Sequence, residues 1–269
     1  MLSFPNAKIN LGLFITRKRR DGFHDLESVF YPVPWRDALE VIEADKTKFT
    51  SSGLDIPGDP NDNLVMKAYQ LLRKDFQLDP VQIHLHKIIP MGAGLGGGSA
   101  DAAFALKMVN ELFQLYLEDS FLEDYAAQLG SDCPFFIGNR PVLATGRGTE
   151  FTDIDLDLSG KYLVLVNPGI HVGTKEAYAN VKPQEAPIHL KEVVESQPLA
   201  DWKNQVHNDF EDSIFPNHPA IAQLKETLYG AGAAYAAMTG SGSTVLGLFE
   251  ELPTLPAFSE AYQVWQGEL

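Results

Sequence analysis

Five glycines crowd into the nine residues Met91–Ser99, between two segments of opposite periodicity. Upstream, Val81, Ile83 and Leu85 alternate with Gln82, His84 and His86, the period of two expected of a half-buried strand. Downstream, Ala102, Leu106, Val109 and Phe113 recur at helical spacing and predict a helix of about four turns. Few folds join a strand to a helix through Pro90-Met-Gly-Ala-Gly-Leu-Gly-Gly-Gly-Ser99. Glycine admits positive φ and lets a ligand approach the backbone closely. Amides at a helix start point outward and carry the positive end of the helix dipole. The product is a phosphate cradle that needs no net positive charge, although a flexible loop with packing glycines has the same composition.

That independence from charge matters here. The chain has 21 Lys and Arg against 36 Asp and Glu, a formal charge of −15. Such a surface repels nucleic acid and anionic membranes, so neither is an expected partner. A polyanionic small molecule would have to be met by a local device. No stretch approaches the roughly 20 apolar residues that span a bilayer. The N-terminal Met-Leu-Ser-Phe-Pro lacks the basic and then apolar pattern of a signal peptide. The one cysteine, Cys133, excludes an intramolecular disulfide. These features point to a cytoplasmic protein; its oligomeric state leaves no trace in the sequence.

Gly92, Gly94 and Gly97 satisfy G-x-G-x-x-G, but a dinucleotide fold requires a second strand ending in an acid about 20 residues on. Here Asn110–Leu117 is predicted to continue the helix. A G-K-[ST] ending and the protein-kinase catalytic and metal motifs are absent.

Elsewhere, residues 5–15 alternate, with Ala7, Ile9, Leu11 and Leu13 on one face and Asn6, Lys8 and Asn10 on the other, a strand with one buried face. Val29–Tyr31 and Ala38–Ile42 predict strands, and Asn61–Arg73 a helix opened by an Asn or Asp cap. A second helix is expected over Ser120–Leu129, and a strand or two between Val142 and Ile154. Tyr162–Val166 reads as a buried strand closed at Asn167-Pro-Gly169. Lys182–Ala200 reads as a connection with a short helix. Ile221–Gly230 predicts a helix, and Tyr235–Met238 and Thr244–Phe249 strands around a Gly/Ser turn. Strands and helices mix without regular alternation, so the expected class is α+β. A boundary is expected near residues 155–160, giving domains 1–155 and 156–269.

The stretch PMGAGLGGGSADAA resembles the second motif of the GHMP kinase superfamily. PNAKINLGL (residues 5–13) and MTGSGSTVLGLF (residues 238–249) resemble its first and third motifs, in order. DGFH (residues 21–24) and LGSDCPFF (residues 129–136) resemble the branch whose acceptor carries a cytidine diphosphate. The resemblance covers nearly the whole chain. It implies an N-terminal domain like the second domain of ribosomal protein S5 and a ferredoxin-like C-terminal domain. It further implies transfer of the γ-phosphoryl group of ATP, with Mg²⁺, to the 2-hydroxyl of 4-diphosphocytidyl-2-C-methyl-D-erythritol in non-mevalonate isoprenoid synthesis.

Residue by residue, the resemblance makes Asp132, in Gly130-Ser-Asp-Cys-Pro134, the general base. By itself such an Asp also suits a turn or helix cap. Lys8 is implied to pair with that acid and to stabilise charge on the transferring phosphoryl group, although a lone strand lysine is usually solvated. Asn10, at i+2 on the same face, would hold the acceptor. Pro90, Gly92, Gly94, Leu95, Gly96, Gly97, Gly98 and Ser99 would bind ATP, and the Ser99 hydroxyl is the expected metal contact. His24 would contact cytosine, with Phe23 beside it where the family usually has Tyr. Gly240, Ser241 and Gly242 would close around the acceptor's phosphates, and also suit a tight hairpin. Asn61–Asn63 is a further expected contributor to adenine binding. The basic run Arg17–Arg20 suits either an attraction for diphosphate or a solvated hairpin tip. Cys133, although next to Asp132, is expected to be a small buried residue, since phosphoryl transfer needs positioning and electrostatics rather than a thiol nucleophile.

Overall fold

The structure, a computed structural model, describes all 269 residues. In chain order the elements are β1 (Leu2–Ser3), β2 (Asn6–Lys18), β3 (His24–Arg36), β4 (Ala38–Glu43), β5 (Lys48–Gly53), α1 (Leu64–Phe76), β6 (Val81–Lys87) and α2 (Gly97–Leu112). Then follow α3 (Asp119–Leu129), α4 (Phe135–Gly138), β7 (Val142–Thr145), β8 (Glu150–Asp153), β9 (Tyr162–Asn167), α5 (Thr174–Ala179) and α6 (Leu190–Ser196). The chain ends with α7 (Phe210–Ile214), α8 (Pro219–Gly230), β10 (Tyr235–Met238), β11 (Val245–Phe249) and β12 (Gln263–Glu268). These elements form two compact units. The first comprises Met1–Ala7, Trp35–Met91 and Gly96–Arg140; the second comprises Lys8–Pro34, Gly92–Leu95 and Pro141–Leu269.

In the first unit a sheet runs β1-β4-β6-β5. β4 pairs antiparallel with β6, and β5 pairs parallel with its other edge. The alternation read in β6 is real: Val81, Ile83 and Leu85 are buried, as are Leu39 and Val41 on the paired strand. α2 packs on β4 and against α1. Its alanines 100, 102, 103 and 105 are buried and let α1 approach with Val65, Ala68, Tyr69 and Leu72. Burying each large apolar side chain contributes about 1.5–3 kcal/mol. The Asn63 side chain accepts the Val65 amide at 2.9 Å and caps α1, as the sequence predicts.

The second unit holds two sheets, β2-β3-β7-β8 and β10-β11-β9-β12. Central β9 pairs with β11 on one side and β12 on the other, both antiparallel. A buried cluster gathers Leu13 and Ile15 of β2 with Val164, Val166, Met238 and Val245 from the other sheet. Phe210, Ile214, Ile221, Leu224 and Leu228 cover it. The mixture of helices with mainly antiparallel sheets is the expected α+β class.

Three expectations are revised. The helix does not continue through Asn110–Leu117: α2 stops at Leu112, where the Asn110 side chain turns back onto the Leu117 backbone at 3.0 and 3.1 Å. Gln114 and Tyr116 then adopt positive φ. The next element is still a helix, α3, so the dinucleotide fold remains excluded. Secondly, β2 has no solvated face. Every residue from Asn6 to Ile15 is buried, including Asn6, Lys8 and Asn10. Thirdly, β5 and β12 carry polar, largely exposed sequences, KFTSSG and QVWQGE. Backbone pairing with β6 and β9 makes them strands without an apolar period to announce them.

Candidate active site

Two of the buried polar positions of β2, Lys8 and Asn10, come together in the second unit. The Lys8 ammonium donates to the Asn10 side-chain oxygen at 2.6 Å and stands 4.5 Å above the centre of the Phe30 ring. The Asn10 amide donates to the Ser28 hydroxyl at 2.8 Å, which donates to the Gly12 carbonyl at 2.6 Å. The Asn10 backbone amide donates to the Thr239 hydroxyl at 2.9 Å. A desolvated lysine is costly unless its charge is used or matched. Its burial therefore displaces the reading of a solvated strand lysine.

The loop residues Gly92–Leu95 lie against the same group. Leu95 accepts the Lys8 backbone amide at 2.9 Å. Gly94 has φ +77°, and a β-carbon there would fall 2.1 Å from the Thr239 carbonyl oxygen. A β-carbon on Gly240, at φ +56°, would lie 3.1 Å from the Gly94 α-carbon. Two glycine-rich segments far apart in sequence thus touch backbone to backbone. Ser241 is half-buried and Gly242 buried in the same turn.

In the first unit, α2 opens with Gly96 in the left-handed region and no side-chain cap. No side chain of the N-cap residue covers the helix's first amides. Gly98 and Ser99 are half-buried and Gly97 is buried, with Pro90 buried just before the loop. Beneath Gly97 sits a buried charge set: the Lys87 ammonium donates to Asp37 at 2.5 Å and to Asp101 at 2.8 Å. Asp37 also accepts the Ile88 and Ile89 amides at 2.5 and 2.8 Å. Burial pushes the Asp101 carboxyl up to about 7, against the lowering effect of Lys87.

Asp132 is half-buried in the turn that enters α4. α4 has Pro134 at its N-cap. Cys133 is buried, and burial raises its thiol to about 11, with a hydrogen bond from Ser99 lowering it and Asp132 raising it. A thiol so rarely ionised is no nucleophile. No group of three His, Cys, Asp or Glu side chains is gathered as a metal cage. The Ser99 hydroxyl fits the sparse protein ligation that magnesium adopts beside phosphate.

His24, at the start of β3, stacks on Tyr178 with ring centres 4.7 Å apart and planes 22° apart. Tyr178 meets Phe210 edge-on at 4.8 Å. Phe23 is half exposed, with the Arg147 guanidinium 3.6 Å from its ring centre. Burial, then Lys18, lowers the His24 pKa. In the basic hairpin, Arg17 and Arg19 bond Asp25 at 2.5 and 2.8 Å. These ion pairs tie the strands of the hairpin together, while the Arg17 side chain stays exposed. In the first unit a cavity of about 210 Å³ is lined by Phe49, Thr50, Ile56, Pro57, Asp59 and Asn63, among others.

The structure thus assembles Lys8, Asn10, Gly94, Leu95 and Gly240, and sets Gly97 and Ser99 at a helix start. Sequence reading missed Ser28, Thr239, Tyr178 and Arg147. Thr239 could have been found, since it sits inside the third motif. Ser28, Tyr178 and Arg147 carry no local signal, because only their tertiary neighbours give them meaning.

The chain matches two family profiles, "GHMP kinases N terminal domain" over residues 63–139 and "GHMP kinases C terminal" over residues 191–263. It is 55% identical to 4-diphosphocytidyl-2-C-methyl-D-erythritol kinase of Bacteroides fragilis, over 97% of each chain. It is 50% identical to the enzyme of that name from Parabacteroides distasonis, over 100% of each. Among solved structures, a 4-(cytidine 5'-diphospho)-2C-methyl-D-erythritol kinase superposes with TM-score 0.77 at 30% identity, covering 92% of this chain and 90% of that one. A homoserine kinase from Cytophaga hutchinsonii superposes at 0.67 with 16% identity over 98% and 95%, which speaks for the fold alone. No helix is long and apolar enough to cross a membrane.

Proposed function

The chain belongs to the GHMP kinases, within the 4-diphosphocytidyl-2-C-methyl-D-erythritol kinases, and from that membership we propose that it phosphorylates the 2-hydroxyl of 4-diphosphocytidyl-2-C-methyl-D-erythritol with ATP. The reaction belongs to the methylerythritol phosphate route to isoprenoids. The observation that carries the chemistry is the buried Lys8 ammonium, held on the Asn10 side-chain oxygen and over the Phe30 ring.

In this reading Asp132 takes the proton of the acceptor hydroxyl as its oxygen attacks the γ-phosphorus. The acceptor is a weakly acidic alcohol, and a placed base contributes about 10²–10⁴-fold. Lys8 stabilises the charge on the transferring phosphoryl group, and Asn10 holds Lys8 while orienting the acceptor. The amides of Gly96, Gly97, Gly98 and Ser99 hold the nucleotide phosphates at the start of α2, and Pro90, Gly92, Gly94 and Leu95 shape the loop that leads there. When bound, Mg²⁺ neutralises charge on the β- and γ-phosphates, with the Ser99 hydroxyl as its protein contact. The 210 Å³ cavity beside Asn63 suits the adenine ring. His24 and Phe23 receive the cytosine, aided by the aromatic surface of Tyr178. Gly240, Ser241 and Gly242 close on the acceptor's phosphates. Residues 1–155 would form the domain that carries the nucleotide loop, and 156–269 the domain that carries the third motif.

Purified protein incubated with Mg-ATP and four acceptors tests the proposal: the diphosphocytidyl-methylerythritol, mevalonate, homoserine and galactose. ADP formation confined to the cytidine acceptor supports it, and turnover of another acceptor moves the enzyme to a sister branch. Asp132→Asn should keep ATP affinity while losing most turnover; near-normal turnover would remove Asp132 as the base.

A further inference from the structure

The segment His207–Glu211 carries no sequence motif, yet it bonds the backbone of two distant strands. Leu13 donates to the His207 carbonyl at 2.8 Å, and Asp209 returns a bond to the Leu13 carbonyl at 2.8 Å. The Asp209 carboxylate accepts the Ile15 amide at 2.7 Å. The segment is thereby laced along β2 as a short parallel bridge. Glu211, almost wholly buried, accepts the Met238 amide at 2.8 Å and the Lys225 ammonium at 2.5 Å.

Asn208 is 1% exposed. Its amide donates to the Met238 carbonyl at 2.6 Å and to the Gly240 carbonyl at 2.9 Å, the two carbonyls on either side of Thr239. Its oxygen accepts the Phe210 amide at 3.0 Å. Both donors of its amide are therefore committed, and its oxygen has a partner. With those carbonyls tied down, the turn that carries Thr239 is held, its hydroxyl 3.3 Å from the Gly94 carbonyl. That hydroxyl takes the Asn10 backbone amide and lies 3.4 Å from the Asn10 side-chain oxygen. The same oxygen accepts the Lys8 ammonium.

We propose that Asn208 is a positioning residue for phosphoryl transfer, acting on Lys8 through Thr239 and Asn10. The proposal rests on the assignment of Lys8 to the transferring phosphoryl group. A buried amide spent on two loop carbonyls is expected where the loop's geometry, and not only its presence, matters. Misplacing a catalytic group by about 1 Å can cost on the order of 10²-fold.

A double-mutant cycle tests it, with kcat measured for Asn208→Ala in the wild-type and Lys8→Met backgrounds, each variant first shown to fold by its thermal transition. Asn208→Ala should lower kcat by about 10–100-fold in the wild type and by less than about threefold when Lys8 is already gone. Equal losses in both backgrounds would mean a merely structural asparagine and overturn the proposal. An undiminished kcat in Lys8→Met alone would instead overturn the Lys8 assignment. If Asn208→Ala does not fold, the pair Thr239→Val and Thr239→Ser carries the test. Valine should lose turnover and serine, which keeps the hydroxyl, should recover most of it. Equal loss in both Thr239 variants overturns the relay.

Discussion

A β-carbon built on Gly94 falls 2.1 Å from the Thr239 carbonyl oxygen, so the second motif's loop lies flat on the third motif's turn. Gly94 is glycine for two reasons at once, the close approach and its φ of +77°. The left-handed conformation alone costs an L-residue about 1–2 kcal/mol. Gly94→Ala should lower the melting temperature by at least about 3 °C and raise KM for ATP. An unchanged melting curve would show that the loop can leave Thr239 freely.

Gly97 and Gly98 are neighbours in the first turn of α2 and should respond oppositely to alanine. In an open helix position, Gly→Ala stabilises by about 0.5–1 kcal/mol. Gly98 has such room, its nearest neighbour being Leu64 at 4.0 Å. A Gly97 β-carbon would meet Ile89 at 2.9 Å and the Lys87 ammonium at 3.0 Å. Lys87 cannot retreat without breaking its bonds to Asp37 and Asp101. Denaturant titration should therefore find Gly98→Ala as stable as the parent or better, and Gly97→Ala less stable. Equal stabilities would show that the charge set beneath the helix yields at little cost.

Cys133 should be inert in the folded protein. Its thiol, pushed up to about 11, leaves roughly one part in a thousand ionised at pH 8. Labelling with a thiol-specific disulfide reagent at pH 8 should be negligible in the native state. One equivalent should react in denaturant. Fast native labelling would show an accessible thiolate beside Asp132.

The His24 imidazole should titrate below the ordinary histidine value of 6.5. The folded state then holds fewer protons than the unfolded one between the lowered value and 6.5. Stability contributed by this group rises with pH through that window and is level above it. An NMR titration of the ring should place the midpoint under 6.5. Lys18→Gln should raise it, because Lys18 is the second cause of the depression after burial. A midpoint at or above 6.5 would contradict the burial of this ring beside Tyr178.

Several parts of this molecule are local and were legible in the order of residues. Apolar alternation through Val81, Ile83 and Leu85, the Asn63 cap and the glycines opening α2 each depend on neighbours a few positions away. The three motifs, similarly, carry their chemistry in contiguous residues. What was not legible depends on long-range packing. Alternation along β2 marks a polar face, but burial of Lys8 and Asn10 follows from Ser28, Phe30 and Thr239, brought up from 18 to 229 residues away. β5 and β12 are strands because β6 and β9 offer free edges, whatever their side chains prefer. Asn208 looks like any polar residue before a short helix until Met238 and Gly240 turn their carbonyls toward it. Periodicity and turn chemistry are set by interactions within a few residues, whereas burial and hydrogen-bond partners are set by whichever distant segments the closed chain brings alongside.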